Sequence, residues 1–178
     1  MNFINPLYIR YGIIHIYPEL QILDKEWKGK LKKAIPNGIM LRNSLDISKC
    51  GIDYSKILDV SKPFVEKYYE LDIDTLQVTR VVLINYSEFG DKKLNIHMDD
   101  SLITINYCLE TTAEGNEVVF QGKKNMPNRK YKGFHSPLLE IAPENNNIYI
   151  HYGNHPHYTK NLLSGYRYSI IIWLGKSN

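Results

Sequence analysis

Leu94-Asn95-Ile96-His97-Met98-Asp99-Asp100-Ser101-Leu102-Ile103-Thr104-Ile105-Asn106-Tyr107-Cys108-Leu109 reads as two strands joined by a short polar turn. Leu94 and Ile96 open the first strand. Ser101 to Ile105 begin the second with strand-forming residues. Along an extended chain, positions i and i+2 share a face and lie about 7 Å apart at Cα. His97 and Asp99 therefore point the same way, with Met98 turned from them. On the second strand Thr104 and Asn106 share one face, and Cys108 continues it. A polar pair on an otherwise apolar strand needs hydrogen-bond partners.

Further short β-rich runs surround this stretch. From Leu76 onward strands are expected near 78–86, 94–98, 102–109, 117–121, 138–142, 147–151, 155–159 and 166–174. So many short strands separated by turns predict a barrel or jelly roll. The amino-terminal part differs. Pro6 to Tyr17 reads as a short strand. Pro18 to Lys33 has a helical pattern through Leu20, Ile22, Leu23, Trp27 and Leu31, ended by Pro36-Asn37-Gly38. Asp53 to Tyr69 is a second helical stretch, with Pro63 expected to start a new helix. With no linker or repeat visible, residues 1–178 are expected to form one domain: residues 1–75 as a helical buttress, and residues 76–178 as the β core. The fold class is mainly β with flanking helices.

Composition narrows the class. The chain has 178 residues, a formal net charge of +3 and 43% hydrophobic residues, enough for a sizeable core. A mildly basic balance permits an acidic partner without requiring one. Cys50 and Cys108 are the two cysteines, and read as free thiols in a reducing compartment. No basic region followed by an apolar core opens the chain, and no apolar run approaches a membrane span. An intracellular, cytoplasmic protein without a membrane partner is the expectation.

A His-x-Asp triplet alone carries little weight, because it arises readily by chance. Two residues further along the chain add that weight. His157 lies sixty residues beyond His97, and Arg167 ten residues further. Two histidines and one carboxylate occupy one face of an octahedron and leave three positions open, the ligand set of a non-haem iron centre. Gly165-Tyr166-Arg167-Tyr168-Ser169-Ile170-Ile171-Ile172-Trp173-Leu174 is strongly strand-forming, with Arg167 and Ser169 on one face. An arginine among so many apolar residues is half buried and needs a partner. Its planar fork suits a carboxylate, either of an acidic co-substrate or of the chain itself. His15, His135 and His155 read as surface or loop residues. His155 shares a face with His157 by alternation and competes with it. His151 reads as ordering the strand before His157.

In combination these residues resemble the Fe(II)/2-oxoglutarate-dependent oxygenases of the prolyl-4-hydroxylase type, in particular the "2-oxoglutarate and iron-dependent oxygenase domain-containing" proteins. His97 to Leu109 resembles their H-x-D-x-S-x-x-T-x-N-x-x-L run. Glu114-Gly115-Asn116-Glu117-Val118-Val119-Phe120 is similar to their G-G-x-L-x-F segment, with Asn116 in place of the second glycine. His151-Tyr152-Gly153 and His157 resemble their H-x-G and distal ligand. The likeness covers residues 78 to 176.

The resemblance implies a double-stranded β-helix, a cupin-like jelly roll, with iron held by His97, Asp99 and His157. It implies Arg167 on the far carboxylate of 2-oxoglutarate with Ser169 assisting, and co-substrate contacts from Tyr86, Asn106 and Thr104. Tyr86 equally reads as a core aromatic. Dioxygen and ascorbate complete the implied small molecules, and succinate and carbon dioxide are the implied by-products. Halogenating relatives replace the carboxylate ligand with a small residue, so Asp99 points to hydroxylation or demethylation. By analogy the primary substrate is a peptidyl prolyl or lysyl side chain. Nucleic acid is the alternative, through the basic segment 123–132, where Lys123, Lys124, Arg129, Lys130 and Lys132 stand without an acidic residue. Residues 123–135, with Tyr131 and Phe134, read as a lid, a binding patch or a plain solvated loop. An iron oxidase that does not use 2-oxoglutarate, and a non-catalytic metal-binding jelly roll, are the other classes left open.

Overall fold

The computed structural model describes residues 3–4, 9, 11–34, 44–122 and 138–176. The expected helix stop at Pro36-Asn37-Gly38 and the basic segment 123–135, with His135, lie outside the described residues.

Thirteen strands and two α-helices are described in chain order. They are β1 (Phe3–Ile4), β2 (Ile13–Tyr17), α1 (Glu26–Ala34), β3 (Ser44–Asp46), α2 (Ser55–Tyr69), β4 (Leu76–Ser87), β5 (Leu94–His97) and β6 (Ile103–Thr111). Then come β7 (Glu114–Gly115), β8 (Val118–Gln121), β9 (Leu138–Ile141), β10 (Ile148–Tyr152), β11 (His157–Thr159), β12 (Leu162–Ser164) and β13 (Tyr166–Lys176). The major sheet has the order β1-β2-β10-β6-β13-β4-β3, and the minor sheet β5-β11-β8-β9. Pairing is antiparallel in both. This is the jelly-roll arrangement expected from the strand pattern.

Alternation gives the major sheet two different faces. Ile103, Ile105 and Tyr107 of β6, Ile148 and Ile150 of β10, and Ile170 and Ile172 of β13 turn outward into the main core. Trp27 of α1 and Ile57, Val65 and Tyr69 of α2 cover them there. Each fully buried isoleucine contributes roughly 1.5–3 kcal/mol of apolar transfer free energy. The Tyr69 hydroxyl also donates to the Ile150 carbonyl at 2.6 Å, tying α2 to the sheet. The opposite face carries Thr104, Asn106, His151, Arg167 and Ser169, all buried. It looks toward the minor sheet, and that difference creates the site.

Beside its helices the amino-terminal part contributes β1, β2 and β3 to the major sheet, and β2 falls within the strand expected over 6–17. The first helix starts at Glu26 rather than Pro18. A distant residue holds the preceding segment out of the helix. The Asn146 side chain accepts from the Ile22 N–H at 3.0 Å and donates to the Leu20 carbonyl at 3.0 Å. Asp24 then accepts from the Glu26 N–H and starts the helix. Pro63 sits inside α2 and does not begin a new helix. Both Pro63 and Asp59, whose carbonyl loses its helical partner, are exposed, so the lost bond lies on the outer side of the helix and not in the core.

His15 is buried, not a surface residue. Its ring contacts the Tyr17 hydroxyl and the Asn147 amide. Burial pushes its pKa down to about 4. The unfolded chain takes up this proton near pH 6.5 and the folded chain does not until about pH 4, so stability falls as pH drops through that window. Each pH unit there removes about 1.4 kcal/mol. Urea titrations at pH 7 and pH 5 are expected to differ by roughly 2 kcal/mol from this group. The difference should shrink in His15→Asn; an unchanged difference would sink the assignment.

Candidate metal centre

His97 ends β5 and His157 begins β11, and the two are direct cross-strand partners. Their rings lie 4.3 Å apart. Asp99 follows β5 in the turn, and its backbone N–H donates to the Gly153 carbonyl at 2.8 Å. The Gly153 N–H in turn donates to the Leu102 carbonyl at 3.1 Å. Position 153 admits only glycine at this closeness, since a Cβ there would stand 2.1 Å from the Ser101 carbonyl oxygen. The β10–β11 turn can thus lie directly on the turn that carries Asp99.

His97 Nε2 is 3.5 Å from Asp99 Oδ1, and His157 Nε2 is 3.8 Å from Asp99 Oδ2. The three ligand atoms all lie within 4.8 Å of one another. In each histidine Nδ1 faces a carbonyl at 2.8 Å, that of Asn95 for His97 and that of His155 for His157. A carbonyl only accepts, so Nδ1 carries a proton, and Nε2 is the ring nitrogen turned toward Asp99. Burial alone would raise the Asp99 carboxyl. His97, His151, His157 and the Thr104 hydroxyl outweigh it and hold the group well below the usual carboxylate range. Burial pushes the His157 pKa down, keeping that ring neutral. The hydrogen bond to the Asp99 carboxylate pushes the His97 pKa up, so a metal would compete with a proton for that ring. One carboxylate oxygen and two imidazole nitrogens suit a divalent first-row metal.

The Thr104 hydroxyl donates to Asp99 Oδ2 at 2.7 Å and contacts the Ser101 hydroxyl at 2.8 Å. Thr104 is not among the residues lining the adjoining cavity. Its hydroxyl is engaged by Asp99, the candidate carboxylate ligand. Removing a hydrogen-bond partner of a ligand costs roughly 10- to 100-fold in metal affinity. Thr104→Val is expected to weaken Fe(II) binding by that much while leaving the fold intact by circular dichroism. Unchanged affinity would show the bond to be incidental.

His151 is the third imidazole here, fully buried, with Nε2 3.9 Å from Asp99 Oδ2. Burial drives its pKa down to about 3. Its Nδ1–H donates to the Tyr152 carbonyl at 2.9 Å, and Nε2 accepts from the Asn106 amide at 3.2 Å. Both nitrogens are therefore occupied. His155 is buried too, not a surface residue, and its Nε2 lies 3.1 and 3.2 Å from the carbonyls of Gln121 and Gly122. Those contacts remove it as a competitor to His157.

A cavity opens beside His97, Asp99 and His157 and runs between the sheets past Asn106 to Ser169, Arg167 and Tyr86. Arg167 is 3% exposed. Its Nη1–H donates to the Asn116 carbonyl at 3.0 Å, and its guanidinium lies 4.6 Å from the Tyr86 ring centroid. Nε has no hydrogen-bond partner. Among the described residues its contacts are a carbonyl and a ring, with no carboxylate of the chain forming the structural ion pair that the sequence allowed. A buried guanidinium with an unused donor on a cavity wall fits an acidic ligand. Asn116 adopts φ 63°, the left-handed conformation asparagine tolerates. Its amide donates to the carbonyls of Lys92 and Lys160, each at 3.1 Å, so it ties two loops beside the arginine. Cys108 is buried against Ser169 rather than on the cavity wall, and burial raises its thiol pKa to about 12.

Sequence reasoning missed Tyr149, which also lines the cavity and pairs across strands with Asn106. Its signal was present. Ile148 and Ile150 face the core, so Tyr149 and His151 between and beyond them must face the site.

No protein-family model matches the chain. Two Arabidopsis thaliana proteins do, both named 2-oxoglutarate and iron-dependent oxygenase domain-containing proteins. ICU11 is 25% identical over 95 residues, 53% of this chain and 24% of that protein. CP2 is 24% identical over 167 residues, 86% of this chain and 40% of that protein. The chain thus spans less than half the length of either. Among solved structures, a 2OG-Fe(II) oxygenase family oxidoreductase from Burkholderia pseudomallei superposes with a TM-score of 0.64 at 12% identity, covering 96% of this chain and 87% of that one. A viral collagen prolyl hydroxylase from Paramecium Bursaria Chlorella virus-1 superposes with a TM-score of 0.62 at 16% identity, covering 94% and 90%. The chain is a homologue of the 2-oxoglutarate and iron-dependent oxygenase domain proteins and shares the fold of the solved 2OG-Fe(II) oxygenases.

Proposed function

We propose that this chain is an Fe(II)- and 2-oxoglutarate-dependent dioxygenase that hydroxylates a C–H bond of a peptidyl prolyl or lysyl side chain. One observation carries the reading: the His97–Asp99–His157 cluster and the unsatisfied Arg167 Nε line a single cavity. In this reading His97 Nε2, an Asp99 oxygen and His157 Nε2 hold the iron. The chemistry supplied by bound iron with 2-oxoglutarate and dioxygen is oxidation of the substrate, with release of succinate and carbon dioxide. Arg167 binds the far carboxylate of 2-oxoglutarate through its fork, and Ser169 adds a hydroxyl beside it. Asn106, oriented by His151, offers an amide to the middle of the co-substrate. The Tyr86 ring backs the guanidinium and keeps water from it. The two sheets exclude solvent around these groups, so the polar contacts gain strength.

The peptide substrate rests on analogy with relatives such as the viral collagen prolyl hydroxylase. Among the described residues no helix is long and apolar enough to cross a membrane, which says nothing of a β-barrel. The test is succinate formation from 2-oxoglutarate by protein loaded with Fe(II) without oxygen and then exposed to air. Proline- and lysine-containing peptides are added in parallel with single-stranded nucleic acid. Succinate formation stimulated by a peptide is the expected result. Iron bound without any succinate would overturn the 2-oxoglutarate reading in favour of an oxidase or a non-catalytic module.

A further inference from the structure

Thr104 of β6, Trp173 of β13 and Arg80 of β4 stand in one row across three neighbouring strands. Because the Thr104 hydroxyl holds Asp99, this row runs at the level of the metal ligands. The co-substrate end of the cavity lies in another direction, along the strands toward Ser169 and Arg167. Trp173, in the middle of the row, lines the same cavity, so the row meets the cavity away from its co-substrate end. Adjacent strands lie about 4.8 Å apart, so the Arg80 backbone stands about 10 Å from that of Thr104.

The lining changes along this row. Ile84, Leu94, Ile171 and Trp173 give the cavity an apolar wall. Beyond them the exposed Arg80 guanidinium lies 5.5 Å from the Trp173 ring centroid. Among the described residues its contact is that ring and no carboxylate. A guanidinium lying on an aromatic face is held in orientation and keeps its N–H edge for an outside acceptor.

We propose that Trp173 and Arg80 form the primary-substrate subsite, and that it selects peptides carrying an aspartate or glutamate within a few residues of the residue oxidised. The inference rests on the peptide hydroxylase reading and deepens it. Trp173 packs on the apolar part of the target side chain. Arg80 takes the carboxylate at the outer edge of the row, beside the Trp173 ring.

The test uses the full chain loaded with Mn(II) and 2-oxoglutarate, without oxygen. Three fluorescein-labelled peptides share one proline-centred sequence and differ by Glu, Gln or Lys three positions from the proline. Fluorescence anisotropy reads their binding. The Glu peptide is expected to bind roughly 3- to 10-fold more tightly than the Lys peptide. Arg80→Gln should level the series and Arg80→Glu should invert it. Wild-type binding indifferent to charge, or an order unchanged in Arg80→Glu, overturns the subsite while leaving the hydroxylase reading intact. In a parallel Fe(II) assay, 2-oxoglutarate consumption stimulated by none of the three peptides overturns the peptide reading and the subsite with it.

Discussion

Arg167→Ala is expected to weaken 2-oxoglutarate binding by about 100-fold or more while leaving Fe(II) affinity within about threefold of wild type. The magnitude comes from the burial of the pair. Truncating one partner of a buried, hydrogen-bonded charge pair costs about 2–5 kcal/mol, and every 1.4 kcal/mol is tenfold. Arg167 is 3% exposed, so little water screens its attraction for a carboxylate. Arg167→Lys should recover only part of the loss. An ammonium keeps the charge but not the planar fork, and it cannot both donate to the Asn116 carbonyl as Nη1 does and present a second, parallel donor. Calorimetric titration of 2-oxoglutarate into the Mn(II)-loaded protein measures the effect. An affinity for 2-oxoglutarate that survives Arg167→Ala would remove this residue from the co-substrate site.

His157→Ala is expected to abolish succinate formation by removing the metal. Loss of a group that merely orients a ligand costs roughly 10- to 100-fold in affinity, so loss of the ligand itself should exceed about 100-fold. The informative control lies two residues away. His155 is as deeply buried, but its Nε2 faces the carbonyls of Gln121 and Gly122. His155→Gln can keep a donor to those carbonyls and should retain stoichiometric iron. Metal content after gel filtration separates the two variants. A His155→Gln protein that loses iron while His157→Ala retains it would reverse the assignment of the distal ligand.

Much of this arrangement was legible in one dimension because strand geometry is periodic. Ile103-Thr104-Ile105-Asn106-Tyr107-Cys108-Leu109 alternates apolar and more polar residues, and the sheet obeys that alternation with a core face and a site face. The same rule put His97 and Asp99 on one side and brought Arg167 and Ser169 to one wall. Helix boundaries were less legible. The pattern through Leu20, Ile22 and Leu23 is helical, but Asn146, more than a hundred residues away, takes the hydrogen bonds that a helix would have used. Pro63 was expected to start a new helix, yet α2 runs through it, and the carbonyl it deprives belongs to an exposed residue, Asp59.

What the sequence determined by itself is the chemistry available: a His-x-Asp pair, a later histidine, an arginine on a strand, and the alternation that makes a two-faced sheet. These are local properties, set by residue type and by the two-residue period of an extended chain. The resemblance named His157 as the distal ligand, but only the tertiary structure shows why His151 and His155 differ from it: the Nε2 that His157 turns toward Asp99 faces the Asn106 amide in His151 and backbone carbonyls in His155. The tertiary structure decided that Thr104 bonds Asp99, that Tyr149 joins the wall, and that Arg80 stands over Trp173. Each depends on strand register between segments far apart in the chain, and register is set by packing and long-range hydrogen bonds that no local pattern contains.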